Sequence, residues 1–455
     1  MMSFKPVLLM SDLLLLLLIV GAIVLVIVNR RSEPLRAAWQ RIAGNPVGMA
    51  SATLLSAFAL IGLLDSMHYQ PKLAQQQGSA ANYSVEVLSV LDRTLMPLRT
   101  NTEKTYSAPL ATNLFAMETA EDGKARSYPR LRYGGAHLGA DLEQHAEDVA
   151  QRGTRGATVG LLLWLAVLAA MWLREKDDMA RRKALFVKWW PVLAMLLFVA
   201  LAGGVVGGLS SGYHVFGTDK VGQDVLYLSL KSIRTGLLLG TLTTLIMLPA
   251  AIFLGILAGY VGGWVDDLIQ YVYTTLNSIP DVLLIAAAVL MMQVVIDTHP
   301  AWFSSSAERA DARLLALCII MGITSWTGLC RLLRGETLKL RELEYVQAAR
   351  AFGVSRLGVM LRHILPNLTH IVLITTVMDF SRLVLAEAVL SYVGVGVDPS
   401  TISFGTMIDA ARMELAREPM VWWSLTAAFG FMFLLVLAAN LFADAVRDAF
   451  DPKVS

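Results

Sequence analysis

The sequence predicts an all-α polytopic membrane protein of about nine transmembrane helices with a sizeable extracytoplasmic insertion. Three observations carry that reading. The 455 residues are 56% hydrophobic and only 16% charged, whereas soluble domains carry about 25% charged residues. The apolar residues gather into uninterrupted runs of roughly 20, the length of a helix that crosses a bilayer. In lipid a backbone must satisfy its own hydrogen bonds, so such runs have to be helical.

The runs fall near 7–28, 47–66, 157–173, 187–208, 234–258, 276–296, 314–332, 368–394 and 421–443. The first, within "MMSFKPVLLMSDLLLLLLIVGAIVLVIVNRR", outlasts the apolar core of a signal peptide and no small-residue cleavage site follows it, so it is expected to persist as a span. It and the loop after it make up 1–46, and 47–66 is the second span. The segment 67–156 is rich in Gln, Ser, Thr and Gly, with strand-like pieces such as "NYSVEVLSV"; a partly ordered extracytoplasmic domain is expected there. Residues 157–208 form a transmembrane hairpin, and 209–455 a core with a polar loop at 341–366.

Lys and Arg in short loops mark the cytoplasmic side. Arg30, Arg31, Arg36 and Arg41 crowd the first loop. Arg174, Lys176, Arg181, Arg182 and Lys183 crowd the third, and Arg331, Arg334, Arg350, Arg356 and Arg362 the loop after the seventh run. These loops alternate correctly, which places the N-terminus outside and the C-terminus, with Arg447, inside. The net charge of +2 says little as a total. Cys318 and Cys330 sit in one apolar run, which suits small hydrophobes better than a disulfide or a metal site.

Absent motifs narrow the chemistry. There is no GxxxxGK[ST] phosphate loop, no HExxH, no CxxC and no GxSxG elbow, and the seven histidines are scattered. The chain therefore does not hold ATP in a phosphate loop, and an intramembrane enzyme is poorly supported.

The polar loop holds "EYVQAARAFGVSRLGVMLRHILP", Glu344 to Pro366. Tyr345, Ala348, Ala349 and Phe352 recur at helical spacing and give one smooth face. Gly353 tolerates the left-handed conformation that ends a helix, Ser355 is placed to cap a second one, and Pro366 marks the boundary with the next span. A face of small and aromatic residues fits a groove in another protein; it equally fits packing on the chain's own span ends.

Other motifs read as follows. "FGTD", Phe216, Gly217, Thr218 and Asp219, is a turn before a capped helix, or a contact for a docking protein. "GYVGGW" supplies a tight turn, with Trp264 at the interface. Asp379, Arg382 and Glu387 lie in one apolar run, where ionisable groups face a water-filled path or pair with each other. Asp379 and Arg382 are three apart and can pair. Glu387, without a local partner, is the better candidate for a pathway or inter-subunit contact. His363 reads as a polar loop residue, and Met291 and Met292 as lipid-facing or core filler.

Ala348-Ala349, then Gly353, then Leu365-Pro366 resembles the cytoplasmic coupling loop of ABC importer permeases; Gln347 stands where that motif usually has Glu. "HVFGTDKVGQDVL", "GYVGGWVDD", "SIPDVLL", "LAEAVLSYVGVGV" and "NLFADAVRDAFDP" are similar to the oligopeptide/dipeptide branch, closely over 210–455, and "GNPVGM" extends the likeness loosely over 41–66. Departures are the extra first span, the insertion, the extra hairpin, and Phe404 where the branch often has Trp. The resemblance implies a type I importer permease core. It implies Glu344, Tyr345, Gln347, Ala348, Ala349, Phe352, Gly353, Leu365 and Pro366 as an ATPase-coupling loop. The implied partners are a second homologous permease, two ATPase subunits that carry ATP and Mg, an extracytoplasmic substrate-binding protein and the bilayer of a bacterial inner membrane. No cofactor on this chain and no nucleic acid are expected. The alternatives are an ion-coupled secondary transporter, or a membrane scaffold or sensor using the outer segment.

Overall fold

The computed structural model describes residues 4–29, 33–72, 83–119, 126–139, 141–174, 179–303 and 305–450. Arg30, Arg31 and Lys176 of the expected basic loops lie outside them, as do the side chains of Arg174, Arg181, Arg182 and Lys183. In order, the elements are β1 (Phe4–Val7), α1 (Met10–Asn29), α2 (Glu33–Ile42), α3 (Pro46–Asp65), β2 (His68–Pro71), β3 (Leu88–Ser89), α4 (Val90–Thr94), α5 (Met96–Thr100), β4 (Glu118–Thr119) and β5 (Arg126–Ser127). There follow α6 (His145–Arg174), α7 (Met179–Ser210), α8 (Val225–Val261), α9 (Gly263–Asn277), α10 (Asp281–Thr298), α11 (Ser306–Ser325), α12 (Thr327–Leu340), α13 (Glu344–Ala351), α14 (Arg356–Val359), α15 (Leu365–Tyr392), α16 (Phe404–Glu414) and α17 (Trp423–Phe450).

Among the described residues seven helices are long and apolar enough to cross a membrane: α3, α6, the Phe186–Ser210 part of α7, α8, α10, α11 with α12, and α17. Helices α1 and α15, of 20 and 28 residues, occupy the other two apolar runs. Several runs shift when folded. The one expected at 276–296 starts as a helix only at Asp281, because Pro280 ends the preceding turn. Cys318 and Cys330 are free and buried, but on α11 and α12 rather than along one helix.

The chain forms two compact units. The first comprises residues 1–7, 43–235 and 402–438. In it α6 and α7 pack backbone to backbone, since a Cβ on Gly156 or Gly160 would run into the carbonyl oxygen of Gly204 or Ala200. Small residues at such spacing let membrane helices approach closely. The three-stranded sheet, ordered β1-β2-β3, pairs Phe4 with Pro71 and Val7 with His68. The strand expected over "NYSVEVLSV" shrinks to Leu88–Ser89. Ser89 caps α4 in a reciprocal box with Asp92, which ends the extended stretch.

The second unit comprises residues 8–42, 236–401 and 439–455. Its larger core gathers Met247, Ala251 and Ile256 of α8, Ile269 and Tyr273 of α9, Leu329 and Leu333 of α12, and Val359, Met360, Ile364 and Leu368. Ile42 of α2 packs on Val446 and Ala449 of α17.

Candidate functional site

The loop around α13 is built so that its backbone is fixed from within. Leu343 is extended and precedes the helix, and Glu344 lies in its first turn, where a carboxylate meets the positive end of the helix dipole. At the other end the Gly353 N–H donates to the Arg350 carbonyl (3.0 Å) and the Val354 N–H to the Ala349 carbonyl (3.1 Å). These two bonds make a Schellman cap. It requires a left-handed residue, and Gly353 sits at φ +80°. The Ser355 hydroxyl then accepts from the Gly358 N–H at 3.2 Å and starts α14. One widened turn, Met360–Ile364, leads into α15 with Leu365 and Pro366 in its first turn.

The side chains of α13 divide in two. Val346 and Ala349 are buried in the core of the second unit. Tyr345 and Ala348 are exposed, and Phe352 is 88% exposed. The four-residue smooth face read from spacing is therefore split: Ala349 turns inward and the other three turn outward. Val346, which that reading passed over, is the anchor; its i, i+3 relation to Ala349 was the available signal. Tyr345 is held by its hydroxyl, which accepts from the Asn367 amide at 3.1 Å. Gln347 donates to the Glu342 carbonyl at 3.1 Å.

Long-range polar contacts brace the same region. Arg334 of α12 forks onto Asp266 of α9 through Nε (2.5 Å) and Nη2 (2.7 Å). Arg341 donates to the Gly259 carbonyl at 3.2 Å. The first links residues 68 apart in sequence, and no local pattern announces it.

On α15 the Asp379–Arg382 pair forms, with Arg382 Nε 3.1 Å from Asp379 Oδ1. Glu387 is 2% exposed. It was expected to lack a local partner, but Ser391, one turn on, donates to it at 2.8 Å. His363 is half-buried in the widened turn, and Met291 is 73% exposed.

The FGTD turn belongs to the first unit and is covered by residues 105–107 and Trp423. Gly217 and Thr218 are buried. Gly217 has φ +70°, and a Cβ there would strike the Ser107 carbonyl oxygen. Thr218 Oγ1 accepts from the Ser107 N–H (2.7 Å) and donates to the Thr105 carbonyl (2.8 Å). The Trp423 indole N–H donates to the Thr218 carbonyl at 2.9 Å. Residues 105–107 and Trp423 thus cover Gly217 and Thr218 within the chain itself. Phe216 and Asp219 are half-buried.

A second cluster joins α4 and the end of α3 to the start of α8. Lys231 of α8 lies 2.8 Å from Asp92 and 3.3 Å from Asp65. The Tyr227 hydroxyl donates to Asp92 at 2.7 Å. Burial works against ionisation of Asp92, but the Lys231 ammonium and these donors hold its carboxyl below the usual carboxylate value.

Residues 251–455 match the model of the family described as binding-protein-dependent transport system inner membrane component. The chain is 30% identical over 239 residues to the oligopeptide transport system permease protein OppC of Mycobacterium bovis, covering 52% of this chain and 76% of that protein. It is 32% identical over 242 residues to the OppC of Haemophilus influenzae, covering 53% and 71%. It is also 31% identical over 244 residues to the glutathione transport system permease protein GsiD of Pectobacterium atrosepticum, covering 54% and 74%. The chain belongs to the family of binding-protein-dependent transport system inner membrane components, in the branch of the oligopeptide and dipeptide permeases.

Proposed function

We propose that this chain is the permease subunit of an ATP-driven importer for peptides or similar small solutes, and that α13 couples it to an ATPase. The observation that carries the reading is the division of α13. Val346 and Ala349 root it in the core while Tyr345, Ala348 and Phe352 face outward. A helix fixed on one side and apolar on the other can both receive a partner and pass on its movement. ATP and Mg reside on two ATPase subunits, and hydrolysis is theirs. A second permease and an extracytoplasmic binding protein complete the assembly in a bacterial inner membrane. Closure of the ATPases moves α13 and, through Val346 and the Arg334–Asp266 fork, the helices around it, giving alternating access.

Asp379, Arg382 and Glu387 are the proposed pathway or inter-subunit contacts, supported by their place on one 28-residue helix. An outside N-terminus and a cytoplasmic C-terminus are part of the proposal; pairing of β1 with β2 puts the N-terminal strand on the same side as residues 68–71. The test is Gly353→Ile. No atom lies within 4 Å of a Cβ at Gly353, so a Cβ there costs only the left-handed backbone, about 1–2 kcal/mol. Insertion into the membrane should be normal, with solute moved per ATP reduced. An unchanged ratio would count against coupling through this loop.

A further inference from the structure

We propose that His214 is a protonation-controlled pin: as imidazolium it fastens the insertion strap 103–110 over the turn that precedes α8, and on losing its proton it lets the strap loosen. All of the residues involved lie in the first unit.

The strap is sewn to the turn by backbone bonds. The Glu103 N–H donates to the Gly222 carbonyl (2.9 Å), the Thr218 N–H to the Ser107 carbonyl (3.1 Å) and the Leu110 N–H to the His214 carbonyl (2.9 Å). Under these bonds lies one charged sandwich. His214 is 4% exposed. Its Nδ1 is 2.7 Å from Asp224 of the turn, and its Nε2 is 3.4 Å from Glu103 of the strap. Asp224 is fully buried and also caps α8, accepting from the Leu226 and Tyr227 N–H groups at 2.8 and 3.3 Å. Glu103 accepts from the N–H groups of Arg132 (2.8 Å), Tyr133 (2.8 Å) and Gly134 (3.1 Å). Among the described residues the ring therefore joins a carboxylate of the strap to a carboxylate of the turn.

The chemistry follows from that position. A neutral ring has one N–H and can serve one carboxylate; the imidazolium keeps the Asp224 hydrogen bond and turns a second N–H and its charge toward Glu103, an ion pair at 3.4 Å. Deprotonation would leave two buried carboxylates on either side of an uncharged ring, each keeping its backbone N–H donors but losing the cation between them. The charges acting on His214 are those of Asp224 and Glu103. Other titratable groups on the packed elements are engaged elsewhere: Lys104 of the strap donates to Glu118 at 2.8 Å, the Tyr213 hydroxyl donates to Asp148 at 2.8 Å, and Arg132 lies over the Tyr133 ring. Tyr106 of the strap donates to Glu414 of α16 at 3.2 Å, with Arg417 over its ring. Asp219 of the turn accepts from the Val221 and Gln223 N–H groups.

Burial disfavours the charged ring, but the two carboxylates outweigh it and raise His214 from 6.5 to about 9. A raised value means that the pin is fully set below about pH 6.5 and is lost as pH rises through about 9. The pin thus responds to alkaline, not acidic, surroundings.

The experiment is hydrogen–deuterium exchange on the full-length protein in lipid nanodiscs, followed between pH 6 and 10 and corrected for intrinsic exchange. Amides of 103–110 should lose protection by up to about 100-fold in a step that begins near pH 6.5 and is complete near pH 9. His214→Gln should exchange fast at every pH with no step. Glu103→Gln removes one carboxylate and should move the step to lower pH, so the proposal stays testable if the first variant folds poorly. A wild-type profile without a step, or a step that persists in His214→Gln, would overturn it.

Discussion

Truncating Phe352 separates docking from folding. The ring is 88% exposed in the chain, so Phe352→Ala removes almost no internal packing and should change stability by no more than about 0.5 kcal/mol. Seating the ring in a partner's groove is worth about 2–3 kcal/mol by the usual area coefficient. Its loss should therefore weaken binding of the ATPase subunit by roughly 30- to 150-fold. The comparison is Val346→Ala, 2% exposed in the core. That change removes buried methyl groups and should destabilise the fold by about 1–2 kcal/mol. The assay pairs a Kd for the purified ATPase subunit on the permease in nanodiscs with thermal unfolding of each variant. An unchanged Kd for Phe352→Ala, or a large drop in its stability, would show that this ring does not face a partner.

Three further outcomes follow from buried polar contacts. Lys231→Met leaves Asp92 and Asp65 without their cation and should destabilise the first unit by about 3–5 kcal/mol, measured by denaturant unfolding; adding Asp92→Asn should recover part of the loss. Arg334→Lys keeps the charge but cannot fork onto Asp266, and should lower both unfolding temperature and solute moved per ATP. On the acid side, Glu103 is held down to about 2 by His214 and three backbone N–H groups despite burial. Its contribution is present above about 4.5 and is lost as pH falls toward 2, so thermal melting should decline across that interval in wild type and more shallowly in Glu103→Gln.

Much of the architecture was legible because lipid leaves the backbone few choices. Apolar runs had to be helices, and glycines such as Gly353 had to serve where the backbone turns left-handed. What the sequence could not disclose was direction and distance. Spacing placed Tyr345, Ala348, Ala349 and Phe352 on one side, but a helix of 8 residues has a face wide enough to divide, and the core took Ala349 with Val346. The FGTD turn read as local because its partners, Ser107 and Trp423, are 111 and 205 residues from Thr218. Glu103 drew no notice for the same reason, and His214 and Asp224, ten residues apart, were read only as part of "HVFGTDKVGQDVL". "NYSVEVLSV" failed as a strand because Ser89 and Asp92 cap a helix, a local signal that outweighed β-branched composition.

The most direct test is a cross-link from the coupling helix in native membranes. Cys318 and Cys330 are buried, so Phe352→Cys presents a thiol that a short bifunctional reagent reaches at low background. The expected product joins this chain to a nucleotide-hydrolysing subunit, with a yield that changes when ATP is trapped. No intermolecular product, together with uptake that survives ATP depletion and collapses with the proton gradient, would contradict an ATP-coupled permease and favour an ion-coupled carrier.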